Sequence, residues 1–358
     1  MKTILVDLLF YTGTRGGMET YVRNLYPSMP VDKFRYIALA STELAQSDTS
    51  WFPGRVVDTG IRGSRRMGWA LGELIAVPRW ARKLRADLIH SPANVGPWCG
   101  RVPLVLTIQD LLPFRHPEFV PGRYVRVLRS LIRRAAKHAS RIITISTVSE
   151  ADIVEYLDIR RDEIMITPLA GASVGPPQRF MSSGPSLLAM GNRLPHKNFE
   201  RLIRAIALIP EHERPLLTLS GSSSEDPLAP LVEELKLGRW VELRKWITNE
   251  ELNFFYSTAS AVVVPTLFEG FGLPILEAMA RGCPVICSDL PVLREVAGDA
   301  AVFFDPLNPE SMANTIRSTL ADSGILARLS EEGAERASDF TWGHTAALTA
   351  AAFQRVLE

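Results

Sequence analysis

The chain reads as an α/β protein of two Rossmann-like, doubly wound parallel-sheet domains, and three observations predict it. Short apolar runs bounded by turn residues alternate with helix-period segments along the whole length, the order expected of strand–helix–strand crossovers. That alternation lapses near the middle, at a run of helix and strand breakers. The chain has 358 residues, enough for two cores of about 150 to 180 residues each.

In the first half, strands are expected near 3–9, 35–41, 86–90, 103–107, 141–145 and 164–167, with helices near 18–27, 68–84, 123–138 and 148–157. Between Gly171 and Ser186 lie Gly175-Pro176-Pro177 and Ser182-Ser183-Gly184-Pro185, which suit an interdomain linker. The theme then repeats, with strands near 187–191, 216–220, 241–244, 261–264, 284–287 and 301–304. Only helical pattern follows. These signals set domains at 1–172 and 186–338. They are expected to face each other across a cleft, because ligands of such folds sit at the carboxyl ends of the strands.

Composition narrows the class. Hydrophobic residues make up 46% and charged residues 22%, as in an ordinary soluble chain. Cys99, Cys283 and Cys287 are an odd number without metal-ligand spacing, so neither a disulfide framework nor a zinc site is indicated. Met1 to Phe10 contains Asp7 and has no small-residue cleavage site after it, which reads as a first strand rather than a leader. No apolar run approaches the roughly 18 to 20 residues that span a bilayer. A cytoplasmic protein is expected, with any membrane contact peripheral, at the inner face of the plasma membrane.

Net charge is +1, yet residues 1–178 hold 24 Lys and Arg against 16 Asp and Glu, while residues 179–358 hold 16 against 23. Much of the positive charge lies in Arg123, Arg126, Arg129, Arg133, Arg134, Lys137 and Arg141, interleaved with apolar residues as in a basic amphipathic helix. It is either a solvated face over a core stripe or a surface for anionic lipid or an anionic acceptor. Nucleic acid is not expected, since no binding motif accompanies the charge.

The densest chemistry lies in Phe268-Glu269-Gly270-Phe271-Gly272-Leu273-Pro274-Ile275-Leu276-Glu277-Ala278. Pro274 suits a first helical position, where its missing N–H is no loss. The turn before it then offers backbone N–H groups at the positive end of a helix dipole, beside bare glycine that a phosphate or sugar oxygen can approach. Glu277, in the first turn, and Glu269, just before it, would flank that spot as acceptors for ligand hydroxyls.

This string resembles the motif of retaining nucleotide-sugar glycosyltransferases of the GT-B fold, family 4, group 1, mannosyltransferase-like. The residues that follow continue the likeness: Gly282-Cys283-Pro284-Val285, Glu295-Val296-Ala297-Gly298 and Phe304-Asp305-Pro306. The resemblance implies that Glu277 clamps the ribose hydroxyls, that Glu269 lies near the reacting sugar, and that Phe271, Gly272 and Leu273 line the nucleotide sugar. Residues 339–358, opened by Phe340-Thr341-Trp342, resemble the family's return of the chain toward the first domain.

Three further segments gain weight from it. Gly13-Thr14-Arg15-Gly16-Gly17-Met18-Glu19 resembles the family's Gly-Gly-x-Glu loop, and Gly16 and Gly17 would approach the diphosphate or the acceptor. Its glycines fall short of the dinucleotide fingerprint, which disfavours a dehydrogenase. Met190 to Glu200 matches the family's basic loop at Lys197 and Asn198. Lys197 is the expected cation for the leaving diphosphate, with Arg193 and His196 as further contacts, although His196 stands where many relatives have Arg and Arg193 is displaced by one from the family's other arginine. Thr107 to Glu118 resembles the Ile-His-Asp-Leu run, with Gln109 in place of the histidine before Asp110. A glutamine exchanges hydrogen bonds but takes up no proton, so the histidine's acid–base role does not carry over.

Base recognition is expected around Arg244-Lys245-Trp246-Ile247, with Trp246 a contact. The likeness leans toward GDP-mannose over UDP or dTDP sugars. The chain has no Asp-x-Asp motif, so no metal or other cofactor is expected, with Lys197 and helix dipoles supplying positive charge. The implied activity is retaining hexosyl transfer to a glycan, glycolipid, polysaccharide-precursor or small-molecule acceptor. An epimerase or phosphorylase of the same fold, and a catalytically silent sugar-nucleotide-binding protein, are the alternatives.

Overall fold

The computed structural model describes residues 1–13, 16–120, 122, 124–171, 179–180, 184–222 and 225–358. Thr14, Arg15, Arg123, Gly175-Pro176-Pro177 and Ser182-Ser183 of the sequence reading lie outside them. Two compact units emerge. The first comprises Met1–Leu169 together with Thr341–Glu358, the second Ala170–Phe340.

The first unit is built on β1 (Lys2–Leu8), β2 (Phe34–Ala40), β3 (Arg55–Asp58), β4 (Leu88–Ser91), β5 (Leu104–Thr107), β6 (Arg141–Thr144) and β7 (Ile164–Ile166). They pair in parallel in the order β3-β2-β1-β4-β5-β6-β7. Strand β1 carries six consecutive buried residues after Lys2, as a strand covered on both faces requires. The order reverses between β1 and β4, which makes the carboxyl ends of those strands the switch point where open sheets hold ligands. The sequence reading missed β3. It is a four-residue edge strand with one buried side chain, too little apolar pattern to stand out.

The helix expected at 68–84 runs from Arg66 to Lys83 and contains a π-turn at Gly72–Ala76. That turn brings Glu73 onto Asp7 of β1, both only 2% exposed. Asp7 Oδ1 accepts from Leu9 N at 3.2 Å and Oδ2 from Ser91 Oγ at 3.0 Å, while Glu73 Oε1 accepts from Trp69 Nε1 at 2.6 Å. Asp7 has hydrogen-bond donors on both oxygens, so Glu73 is the partner that keeps a proton and gives it to the pair. Burial, then the neighbouring Asp7 charge, raises the Glu73 carboxyl well above its ordinary range.

Arginines on the helix Tyr124–His138 are partly committed inside the unit. Arg129 donates to Pro113 O at 2.6 Å and Phe114 O at 3.1 Å, and Arg133 and Arg134 lie over the rings of Phe114 and Trp98. The final helix, Trp342–Leu357, packs on this unit: Phe353 meets His90 at 5.1 Å and Phe34 at 5.9 Å between ring centroids.

The second unit contains β8 (Ser186–Met190), β9 (Leu216–Ser222), β10 (Val241–Lys245), β11 (Ala261–Val264), β12 (Val285–Ser288) and β13 (Val302–Phe304). Their parallel order is β10-β9-β8-β11-β12-β13, with the reversal between β8 and β11. All six were anticipated within a residue or two. Leu187, Ala189, Leu217, Leu219, Val263 and Ile286 form a core with Leu202, Ile203 and Ile206 from the helix Phe199–Leu208. No helix among the described residues is long and apolar enough to cross a membrane.

Candidate active site

The loops after β8 and β11 meet at the second unit's switch point. The β8 loop turns at Pro195–Lys197, and the β11 loop runs through Thr266 to Glu269. Leu267 N donates to His196 O at 2.7 Å and Thr266 Oγ1 to the same carbonyl at 3.0 Å. Stitched so, the loops bring Lys197 Nζ to 2.6 Å from Glu269 Oε1, with side chains 18% and 15% exposed. Two groups 72 residues apart thus form a charge-assisted pair that is only partly screened.

Beyond Glu269 the chain turns at Gly272, whose φ of 106° places it in the left-handed region, and a Cβ there would meet Leu293 Cδ2 at 2.8 Å. Only glycine fits. Gly272 is the N-cap of the helix Leu273–Met279, so Pro274 is its second residue rather than its first, and Glu277 sits in its second turn rather than the first. Glu277 Oε2 accepts from Tyr256 Oη at 3.1 Å. Burial raises the Glu277 carboxyl; Arg281 and the tyrosine oppose that. Arg281 Nη1 binds the Glu277 carbonyl at 2.9 Å and its guanidinium lies 4.7 Å over the Tyr256 ring. Oε1 of Glu277 accepts no hydrogen bond among the described residues.

In the first unit, Gly16 follows β1 and is the N-cap of the helix Gly17–Leu25, with no side-chain cap. Glu19 fastens the loop before it, accepting from Thr12 N at 2.8 Å and Gly13 N at 3.1 Å. A Cβ at Gly16 would meet nothing within 4 Å, and one at Gly17 would meet only Gln109 Oε1 at 4.0 Å. Packing does not demand glycine at either place.

Gln109 follows β5, 6% exposed. Its N donates to Asn94 Oδ1 at 2.7 Å and its O accepts from Ser149 Oγ at 2.9 Å. Its Nε2 is buried with no hydrogen-bond partner among the described residues. Asp110 Oδ1 accepts from Leu112 N at 3.0 Å, which shapes the turn into the next helix.

The comparisons bear on both units. Residues 178–336 match the family described as glycosyl transferases group 1, and residues 15–170 match Glycosyltransferase Family 4. The chain is 32% identical over 307 residues to O-antigen chain mannosyltransferase B of Escherichia coli, covering 81% of this chain and 77% of that protein. It belongs to glycosyltransferase family 4, group 1. It is therefore a hexosyltransferase-type enzyme. A second relative, the MMP alpha-(1->4)-mannosyltransferase of Mycolicibacterium hassiacum, is 26% identical over 293 residues, covering 76% of this chain and 71% of the relative. Among solved structures, sucrose-phosphate synthase from Thermosynechococcus elongatus superposes with a TM-score of 0.81 at 20% identity, over 99% of both chains. HepE of Anabaena, solved with UDP and glucose, does so at 0.74 and 19%, again over 99% of both. The fold of this glycosyltransferase is thus GT-B, two parallel-sheet α/β domains.

Several of the residues expected in the glycosyltransferase's site have contacts within the second unit. Arg193 donates through Nε and Nη2 to Asp226, the shortest contact 2.7 Å, and through Nη1 and Nη2 to the carbonyls of Gly191, Ser220 and Leu219. Its guanidinium braces the β8 and β9 ends. The His196 side chain is buried, and the fold uses its carbonyl. Phe271 is 3% exposed and packs edge-on against Phe340 at 5.9 Å. Trp246 is 43% exposed and follows β10, the edge strand of the sheet. Leu273 opens the helix after the glycine turn. Sequence reasoning did not find Tyr256, Asp226, Asn94 or Thr266, whose roles depend on contacts far along the chain that no local pattern announces.

Proposed function

We propose that this glycosyltransferase transfers mannose, with retention at the anomeric carbon, from GDP-mannose to a glycan, glycolipid or polysaccharide-precursor acceptor, without a metal ion. The observation that carries the reading is the Lys197–Glu269 pair, 2.6 Å apart at the second unit's switch point. Open parallel sheets hold their ligands there. The preference for mannose rests on the relatives named as mannosyltransferases.

Lys197 holds the diphosphate and stabilises the charge that grows on it as the sugar–phosphate bond breaks. Glu269, its partner, lies beside the sugar. Oε1 of Glu277 accepts from the ribose hydroxyls while Tyr256 fixes Oε2. In the second unit the backbone of Phe271 and Gly272 lets ligand oxygens come close; in the first unit the backbone of Gly16 and Gly17 is open in the same way. Gln109 Nε2, an orphaned donor, gives a hydrogen bond to a sugar or phosphate oxygen. Gln109 takes no proton, so the acceptor's proton passes to the leaving phosphate oxygen as the new bond to the anomeric carbon forms on the same face. Asp110 shapes the turn that presents Gln109. Exposed Arg126, Arg133, Arg134 and Lys137 offer an anionic membrane a peripheral contact.

Slow hydrolysis of GDP-mannose tests this without a known acceptor. Proton NMR should show GDP and first-formed α-mannose in the presence of EDTA, and Lys197→Ala should slow release by about 100-fold or more. First-formed β-mannose, or equal release by Lys197→Ala, contradicts the proposal.

A further inference from the structure

Lys197 carries its charge on a long flexible stem, and such a charge serves a transition state only if its base is already fixed. Its base is the turn that ends at Asn198. Asn198 is the N-cap residue of the helix Phe199–Leu208, yet its side chain makes no cap hydrogen bond. An asparagine at that position ordinarily turns its oxygen onto the first helical N–H groups. Here the amide is used otherwise. Nδ2 donates to Pro265 O at 2.8 Å and to Pro306 O at 2.8 Å, and Oδ1 accepts from Arg201 Nη1 at 2.8 Å. Both protons are spent on carbonyls beyond the ends of β11 and β13.

Pro265 leads directly into the loop that carries Glu269. One buried side chain, 5% exposed, therefore ties the Lys197 turn to the Glu269 loop and to the neighbouring strand end. Thr266 adds to the tie, its Oγ1 lying 3.0 Å from His196 O and 2.8 Å from Phe268 O. The left-handed backbone at Asn198, φ 61°, suits asparagine or glycine and few other residues. We infer that Asn198 is a positioning residue for nucleoside diphosphate binding, acting through Lys197 by fixing the turn that bears the ammonium against the loop that bears Glu269. This rests on the role given to Lys197 above.

Calorimetric titration of GDP and of UDP into wild type, Asn198→Gly, Lys197→Ala and the double variant separates the possibilities. Glycine keeps the left-handed turn and removes the amide. Asn198→Gly should weaken nucleotide binding by about five-fold or more when Lys197 is present and by less than about two-fold in the Lys197→Ala background. Equal losses in both backgrounds would mean that Asn198 supports something other than Lys197, and no loss would mean that it positions nothing; either overturns the inference alone. If Asn198→Gly does not fold, Thr266→Val in the same cycle carries the same expectation. Wild type binding neither nucleotide, or Lys197→Ala binding as wild type does, sinks the functional reading and this inference with it.

Discussion

Gly16 and Gly17 allow a role in ligand binding to be tested apart from stability at the scale of single residues. Neither is held to glycine by a neighbour, so Gly16→Ala and Gly17→Ala should leave the melting temperature within about 2 °C of wild type, a surface-like change. If ligand oxygens approach that backbone, each added methyl should nevertheless lower kcat/KM by roughly ten-fold or more, because a small misplacement of bound groups is expensive in rate. Unchanged kinetics would remove the loop from the site. Lys197 and Glu269 were singled out in the sequence through a family resemblance, but their pairing was not legible, since nothing local records a contact between side chains 72 residues apart. Arg193 shows the converse. Its loop position marks it as a candidate ligand contact, while its ion pair with Asp226, 33 residues on, leaves no local trace in the sequence.

Among the elements, the π-turn Gly72–Ala76 makes the sharpest prediction. The strands were legible because parallel strands buried on both faces must be continuous apolar runs, and β3 escaped because an edge strand need not be. The π-turn was not legible either, since Asp7, the buried partner of its Glu73, lies far along the chain. Glu73 has its carboxyl raised by burial, so the unfolded chain gives up that proton at lower pH than the folded one. The stability it contributes is present below the ordinary carboxylate range and is lost as pH rises through the folded value. Glu73→Gln imitates the protonated acid, keeping an acceptor for Trp69 and a donor for Asp7. It should raise the melting temperature at pH 8 by about 2 °C or more and flatten the decline between pH 5 and 8. A lower melting temperature at pH 8 would contradict a shared proton.

On the scale of the whole molecule, the chain crosses from one unit to the other and returns, so the first unit is complete only when Trp342–Leu357 is in place. Phe353 is fully buried against His90 and Phe34, and Phe353→Ala should destabilise the first unit by about 3–5 kcal/mol, seen as one of two calorimetric transitions moving. His90 itself bonds Tyr26 Oη at 2.6 Å and Thr107 Oγ1 at 2.9 Å, and burial pulls its pKa down to about 3. The unfolded chain takes up that proton near pH 6.5, so this contribution is full above about pH 6.5 and falls away as pH drops toward the folded value. The first unit's stability to chemical denaturation should therefore fall steadily between about pH 6.5 and 4.5, and a flat profile would contradict the buried neutral imidazole.

That the second unit's switch point holds a nucleotide sugar through Lys197 is tested most directly by thermal shift with GDP, UDP, GDP-mannose and UDP-glucose, with and without EDTA, on wild type and Lys197→Ala. The expected result is stabilisation of wild type by GDP and GDP-mannose above the uridine ligands, unaffected by EDTA and largely lost in a Lys197→Ala protein whose unliganded melting temperature is unchanged. Equal stabilisation of Lys197→Ala, or no shift with any of the four ligands, would contradict it.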